Sequence, residues 1–186
     1  MERTRSTTHG FTVVELLIVM AIILVLAGLI LATSGYVQKK GQRSRAEAEI
    51  AAISAALENY KADNGIYPRD ASSSDLANPT AALSSEAYTS ASAFLYEQLY
   101  GATNGARTPA TGAKTYFSFK PSMLNPPPPS TDPVTSIRDP FGNPYGYSTA
   151  KAANPSGAIG VNPTFDLWSI ADGSAGTDQT KWIKNW

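Results

Sequence analysis

The sequence contains no cysteine, and its one histidine is His9, close to the amino terminus. Without cysteine the chain can form neither a disulfide framework nor a thiolate zinc site. Because His9 lies in a segment that we interpret as a cleaved leader, the mature chain would have no histidine for a catalytic triad or a histidine-rich metal site. If this chain carries an exported domain, its loops must be stabilised by some other means.

The chain also lacks an excess of charge of either sign. Lys and Arg together number 15, as do Asp and Glu, so the formal net charge is zero. A nucleic-acid-binding protein usually shows a basic excess, so we expect no nucleic-acid partner. The 14 glycines and 13 prolines lie mostly in the second half of the chain, which predicts many turns there.

A long apolar run follows a short basic segment at the amino terminus. Residues Leu16 to Ala32 are uncharged, and all are apolar apart from Gly28. Together with the apolar residues just before it, this run reaches the roughly 20 residues that a helix needs to cross a bilayer. Arg3 and Arg5 precede it and favour a cytoplasmic amino terminus. The pattern predicts a single-pass membrane precursor whose amino terminus stays in the cytoplasm and whose remaining chain is exported.

Three interpretations of this segment compete. A removable signal peptide is one, because Ala32-Thr33-Ser34 offers small residues for cleavage before Gly35. A plain signal anchor is the second. Neither explains Glu15, since a carboxylate in an apolar span costs about 2.5–3.5 kcal/mol on insertion scales. The third interpretation, a processed precursor that keeps its apolar helix, gives that carboxylate a use.

The residues around Glu15 favour the third interpretation. The string Gly10-Phe11-Thr12-Val13-Val14-Glu15-Leu16 resembles the cleavage and methylation signature of type IV prepilins and type II secretion pseudopilins. The resemblance implies that prepilin peptidase cuts after Gly10 and that the new amino terminus, Phe11, becomes methylated. It also makes Glu15 an assembly residue. In a helical filament, Glu15 of one subunit can neutralise the Phe11 amine of its neighbour, because a buried charge pair costs less than either charge alone.

A second pattern extends the helix beyond the apolar run. Ala46, Ile50, Ile53, Leu57 and Tyr60 are spaced as one stripe of a helix, with polar residues, Glu49 among them, off the stripe. We therefore predict one helix from about Phe11 to about Asp63, ended by Gly65 in the left-handed conformation. The predicted organisation is a cleaved leader (1–10), a transmembrane or filament-core half-helix (11–35), an amphipathic half-helix (36–63) and a globular domain with long loops (64–186).

Further strings in the globular part resemble the major pseudopilin of type II secretion. They run from Tyr60 to Pro68, from Asp139 to Tyr147 and from Phe165 to Gly173. Asp139-Pro140-Phe141-Gly142 suits a type I turn, and residues 145–149 and 165–170 are predicted to pair as strands. We also predict a short helix at residues 92–100 and another strand at residues 116–119. The predicted fold is α+β: a long amino-terminal helix packed on a small antiparallel β-sheet of about three strands, pilin-like.

The resemblance implies a mechanical function rather than an enzymatic one. Such a subunit self-assembles into a periplasmic filament that drives protein export by type II secretion. Prepilin peptidase, the inner-membrane assembly platform, other pseudopilins and, before assembly, membrane lipid are the implied partners. A type IV pilin for adhesion, motility or DNA uptake and a minor tip pseudopilin stay open as alternatives. An anchored enzyme is the alternative from another class, and only a clustered-carboxylate hydrolase would fit a chain with this composition.

The resemblance also implies a bound calcium ion that stabilises the final loop. Asp172 matches the family's first acidic ligand, and Asp178 matches the second because it lies four residues before Trp182. Calcium takes about six to eight oxygen ligands, and a cysteine-free exported domain has a use for such a clamp. If Trp186 is aligned with the family's last tryptophan instead, Trp182 falls in the aspartate's place and the site is lost. Asp172-Gly173 would then be a simple turn.

Overall fold

The computed structural model describes residues 10–75, 77–78, 86–173 and 179–186, and at 30–34 and 86–88 it describes the backbone alone. The long predicted helix is confirmed as α1, Val13–Asn64. It ends where the Gly65 amide donates to the Lys61 carbonyl at 2.7 Å, and Gly65 has φ of 79°, a conformation that glycine adopts without steric cost. The chain divides into two compact units, one ending at Lys40 and the other spanning Gly41–Trp186.

The globular unit combines two further helices with two small antiparallel sheets, which confirms the α+β prediction. Strands β1 (Leu124–Asn125) and β2 (Ser136–Ile137) form one sheet, and β3 (Gly146–Ser148), β4 (Asp166–Ser169) and β5 (Ile183–Lys184) form the other in the order β3-β4-β5. The predicted pairing of β3 with β4 is present, with Tyr147 opposite Leu167. The helices are α2 (Glu86–Tyr100) and α3 (Ala150–Ala153), and single 3-10 turns lie at Pro121–Met123 and Gln179–Lys181.

Two local predictions need correction. Residues 116–119, all of them described, are not a strand, because the amides of Tyr116 and Phe117 both donate to the Leu99 carbonyl at the end of α2. Their aromatic rings pack on the core without entering a sheet. Helix α2 begins at Glu86, earlier than the predicted Ser92, and β5 was not predicted from the sequence at all.

The predicted stripe of α1 forms one wall of the core. Ala46, Ile50, Ile53 and Leu57 are buried. They belong to a cluster that also contains side chains of α2, of the β3-β4-β5 sheet and of the residue just before β3, namely Leu95, Tyr96, Leu99, Tyr145, Tyr147 and Leu167. Each fully buried side chain of this kind contributes about 1.5–3 kcal/mol through removal of apolar surface from water.

Glu49 is buried, although it lies off the predicted apolar stripe. Only 6 % of its surface is exposed. One carboxylate oxygen accepts a hydrogen bond from the Tyr145 hydroxyl at 2.8 Å, and the other accepts one from Arg45 Nε at 3.0 Å. These partners supply the hydrogen bonds that a buried carboxylate requires. Burial, followed by the negative charge of Glu49, raises the pKa of Tyr145 well above its ordinary value.

Three tryptophans form a second cluster behind the sheet. The rings of Trp168 and Trp182 are stacked, with centroids 6.3 Å apart, and Trp186 meets Trp168 edge-on at 6.0 Å. Gly146 on β3 makes room for Trp168, because a Cβ at this position would lie 2.0 Å from the ring. The carboxy-terminal strand therefore attaches to the sheet through both backbone pairing and aromatic packing.

Candidate functional site

The predicted processing site lies just before the first turn of α1. Gly10 and Phe11 precede the helix, and Phe11 is 84 % exposed. The Gly10–Phe11 peptide bond is therefore outside regular secondary structure, where a peptidase can bind it in an extended form. Residues 1–9 of the predicted leader lie outside the described residues.

Thr12 and Glu15 form a capping box at the start of α1. Thr12 Oγ1 accepts a hydrogen bond from the Glu15 amide at 3.2 Å. Glu15 Oε2 in turn accepts hydrogen bonds from the Thr12 amide and the Thr12 hydroxyl, each at 2.9 Å. This reciprocal pairing satisfies amides that have no partner within the helix. The Thr-x-x-Glu spacing is its sequence signal, and sequence reasoning did not use it.

The capping box gives Glu15 a local role besides the predicted one. Its carboxylate is held at the positive end of the helix dipole, where a negative charge is favourable. The Phe11 amine that cleavage would create lies only one residue before Thr12. The carboxylate of Glu15 and the predicted amine therefore lie at the same end of the helix.

The side chains that follow Glu15 form a continuous apolar surface. Large hydrophobic residues from Leu16 to Leu29 are exposed all around the helix, including Leu17, Ile18, Ile22, Ile23, Leu24, Val25 and Leu26. An apolar surface of this size marks a site for lipid or for another protein chain. The residues at 30–34, which include the end of the predicted span, have no described side chains.

The predicted membrane crossing has no direct structural support. Across the described residues, we find no helix with the combined length and hydropathy of a membrane span. The transmembrane assignment of residues 11–35 stays a prediction from the sequence.

The second candidate site is the carboxy-terminal loop. Asp172 is described and is partly exposed, and its carboxylate lies 3.7 Å from the Arg43 guanidinium of α1. Asp178, the other predicted calcium ligand, lies outside the described residues. Within the described ranges, no group of three or more acidic or histidine side chains converges as a metal site would require. Of the two predicted calcium ligands, the described residues contain Asp172, whose carboxylate lies beside the Arg43 guanidinium.

The start of this loop is held by the turn that the sequence predicted. The Asp139 carbonyl accepts from the Gly142 amide at 3.0 Å, which closes the turn. The Asp139 carboxylate accepts hydrogen bonds from the Phe141 and Asn143 amides and from the Ser169 hydroxyl. Asn143 Nδ2 donates to the Ala171 carbonyl at 2.9 Å. The two strings that resemble the major pseudopilin are thus joined to each other in the fold.

Comparisons with known proteins agree with this arrangement. Residues 5–31 match the family model described as the prokaryotic N-terminal methylation motif. Type II secretion system core protein G of Pseudomonas aeruginosa is 28 % identical over 184 residues, covering 98 % of this chain and 97 % of that protein. The protein of the same name from Klebsiella michiganensis is 34 % identical over 64 residues, which cover 34 % of this chain.

Coverage differs among these relatives. The matched segment spans 45 % of the Klebsiella protein and 46 % of the Escherichia coli core protein G, which is 36 % identical over 66 residues. No solved structure matches the chain. The chain carries the prokaryotic N-terminal methylation motif and is similar, along 98 % of its length, to a type II secretion system core protein G.

Proposed function

We propose that this chain is the structural subunit of a periplasmic pseudopilus that drives protein export by type II secretion. One observation carries the proposal: the methylation motif, matched at residues 5–31, includes the start of α1, a helix whose large apolar side chains are exposed. Such a surface must be shielded from water, and in a filament the identical helices of neighbouring subunits shield it. The similarity to core protein G along the chain supports the same function.

The proposed assembly sequence begins in the inner membrane. The precursor is inserted with its amino terminus in the cytoplasm and its globular unit in the periplasm. Prepilin peptidase cuts after Gly10, and the Phe11 amine is methylated. An assembly platform then extracts the subunit and stacks it with other pseudopilins. The chain acts as a mechanical element in this scheme and has no catalytic activity of its own.

Glu15 has a different partner at each stage of this scheme. Before assembly its carboxylate is satisfied by Thr12, as the hydrogen bonds at the start of α1 indicate. In the filament it neutralises the Phe11 amine of a neighbouring subunit, which would otherwise be an unpaired charge in an apolar core. Because Glu15 can reach the Phe11 amine of its neighbour at only one relative position of the two subunits, this pairing also sets the position of each new subunit.

Calcium is a separate proposal, which rests on the resemblance of the carboxy-terminal loop. Asp172 and Asp178 would be its acidic ligands, with backbone carbonyls supplying further oxygens. In that case the ion would stabilise the loop and take no part in any chemical step. The proximity of Arg43 to Asp172 disfavours this ligand set.

The filament proposal is tested in a Gram-negative host that has a type II secretion machinery but lacks its own core protein G. We expect the overproduced chain to form filaments visible by electron microscopy, with a methylated Phe11 as the first residue by mass spectrometry. Glu15→Leu should be inserted and cleaved normally but form no filaments, because the carboxylate is absent. Thr12→Ser, which keeps the capping hydroxyl, is the matched control and should assemble.

Two results would contradict the proposal. A mature chain that begins at Gly35 would have lost the apolar helix and could not form a filament core. Filaments of normal length and number from Glu15→Leu would show that the carboxylate is not needed for pairing.

A further inference from the structure

We propose that the globular unit binds a neutral saccharide in a cleft between the end of α1, the end of α2 and the loop at residues 110–116. All the residues that line this cleft lie between Tyr60 and Tyr116 and have described side chains. The inference therefore concerns the globular unit alone and does not depend on filament assembly.

The cleft has the size of a small-molecule site and is open to solvent. Its volume is about 390 Å³, and ligand sites of proteins usually measure about 300–1,000 Å³. The lining includes the buried Ala102, just after the end of α2. Thr103 and Ala110, which also line the cleft, are exposed, so a ligand can enter from solvent.

Backbone hydrogen bonds hold the loop of the cleft in place. The Ala110 amide donates to the Gly101 carbonyl at 2.8 Å, and the Tyr116 amide donates to the Leu99 carbonyl at 2.7 Å. Gly101 has φ of 77°, and a Cβ there would lie 3.0 Å from the Lys114 carbonyl oxygen, so glycine permits this close approach. Because the loop is already ordered, a ligand does not bear the entropic cost of ordering it.

Two tyrosine rings supply apolar surface to the cleft. The ring centroids of Tyr60 and Tyr116 are 5.1 Å apart, and the ring planes are tilted by 56°. Asn64 Nδ2 connects them, because it donates to the Tyr60 carbonyl at 2.8 Å and to the Tyr116 hydroxyl at 3.0 Å. A hexose ring carries C–H groups on its faces, so it can pack on aromatic rings held in this way.

Two side chains near the end of α2 supply hydrogen-bonding groups. Gln98 Oε1 accepts from the Tyr60 hydroxyl at 3.0 Å, which orients the carboxamide and leaves its Nε2 as a donor for a ligand. Glu97 Oε1 accepts from the Gly105 amide at 2.7 Å, which leaves Oε2 as an acceptor. A sugar hydroxyl both donates and accepts hydrogen bonds, so neighbouring hydroxyls of one ligand can use both groups.

The charges at the cleft favour a neutral ligand. The Glu97 carboxylate would repel a phosphate or another anion, and the Lys114 ammonium would repel a cation. Lys114 is itself paired with Asp63, and its Nζ atom lies 5.1 Å from the centroid of the Tyr116 ring. A saccharide built of neutral hexose units combines the three properties that the cleft requires: no net charge, apolar ring faces and many hydroxyls.

Saturation-transfer NMR with the full chain tests this proposal. The detergent should have no sugar head group, because such a head group would compete for the cleft. The probes are a tetramer of N-acetylglucosamine and a tetramer of glucose, and we expect saturation transfer to the ring protons of at least one. The comparison of the two distinguishes an N-acetylated glycan from a plain glucan. Sorbitol, a polyol without a ring, should bind about tenfold more weakly because it has no ring face to pack on the tyrosines.

Matched variants show whether the saccharide binds in the cleft. Gln98→Ala should weaken binding about two- to tenfold, because a hydrogen bond to the ligand is lost. Ala110→Leu places a larger side chain at the cleft and should weaken binding at least about tenfold, because the ligand and the new side chain would overlap. Gln42→Ala is the control: this glutamine donates to the Pro140 carbonyl at 3.1 Å and does not line the cleft, so binding should be unchanged.

Three results would overturn the proposal. Absence of saturation transfer to both tetramers would show that the chain binds no such saccharide. Sorbitol binding as tight as that of the tetramers would show that the tyrosine rings do not recognise a sugar ring. Equal affinities of the wild type and Ala110→Leu would show that the saccharide binds elsewhere. If Ala110→Leu does not fold, Gln98→Ala and Gln42→Ala decide the question, and equal affinities of these two variants would count against the cleft.

Discussion

Replacing Asp139 with alanine is expected to destabilise the globular unit strongly. This carboxylate is buried, with 4 % of the residue exposed. It accepts hydrogen bonds from the amides of Phe141 and Asn143 at 2.9 and 2.8 Å and from the Ser169 hydroxyl at 2.5 Å. Burial raises the pKa of Asp139, and these hydrogen bonds, led by that from Ser169, offset part of the rise. Alanine would leave three donors without their acceptor.

The size of the effect follows from where those donors lie. A buried donor without an acceptor costs about 1–3 kcal/mol. The hydroxyl of Ser169 is fully buried and takes the upper part of that range, whereas the two amides are partly buried and take the lower part. The sum is about 3–5 kcal/mol, a large fraction of the roughly 5–15 kcal/mol by which a domain is stable.

Urea unfolding of the full chain in detergent, followed by tryptophan fluorescence, measures this loss. Ser169 lies next to Trp168, so the signal reports directly on the sheet to which the turn is attached. Asp132→Ala is the control, because that carboxylate is exposed and accepts its hydrogen bond from the nearby Ser130 hydroxyl. If Asp139→Ala unfolds at the same urea concentration as Asp132→Ala, the carboxylate does not join the turn to β4 as we describe.

Two further variants test the packing and the pH dependence of the core. Gly146→Ala should destabilise the chain by about 1–3 kcal/mol or more in urea unfolding, because its Cβ would lie 2.0 Å from the Trp168 ring. At Gly41 in the helix, a Cβ would meet no atom within 4 Å apart from its own neighbours and the nearby helix backbone, so Gly41→Ala should instead stabilise the chain by up to about 1 kcal/mol. Burial raises the pKa of Tyr96 to about 12, and its hydroxyl donates to the Ala106 carbonyl at 2.8 Å. Its contribution to stability is therefore intact below the ordinary tyrosine pKa of about 10 and is lost as the pH rises through about 12. Tyr96→Phe should cost about 1 kcal/mol at neutral pH and weaken the alkaline loss of stability, and an unchanged alkaline unfolding curve would contradict this assignment.

Features encoded within a few consecutive residues were predictable from the sequence. The string from Gly10 to Glu15 predicted an N-terminal methylation motif, and the family model that matches residues 5–31 agrees with it. The stripe of α1 and the glycine that ends the helix were also predicted, because helical spacing and left-handed backbone depend on neighbours within one or two turns. The turn at Asp139 belongs to the same class, since its closing hydrogen bond joins residues three apart.

Contacts between distant residues were decided by the tertiary structure alone. Glu49 is buried because the hydroxyl of Tyr145, 96 residues away, meets its carboxylate. Arg43 meets the Lys181 carbonyl across a separation of 138 residues, and no local pattern in the helix signals that contact. The helix spacing shows which residues share a face, but whether a charged residue on that face reaches water or a partner depends on what packs against it. The residues at 116–119 are a second example. Their alternation suits a strand, yet the amides of Tyr116 and Phe117 donate to the Leu99 carbonyl at the end of α2 instead of to a neighbouring strand.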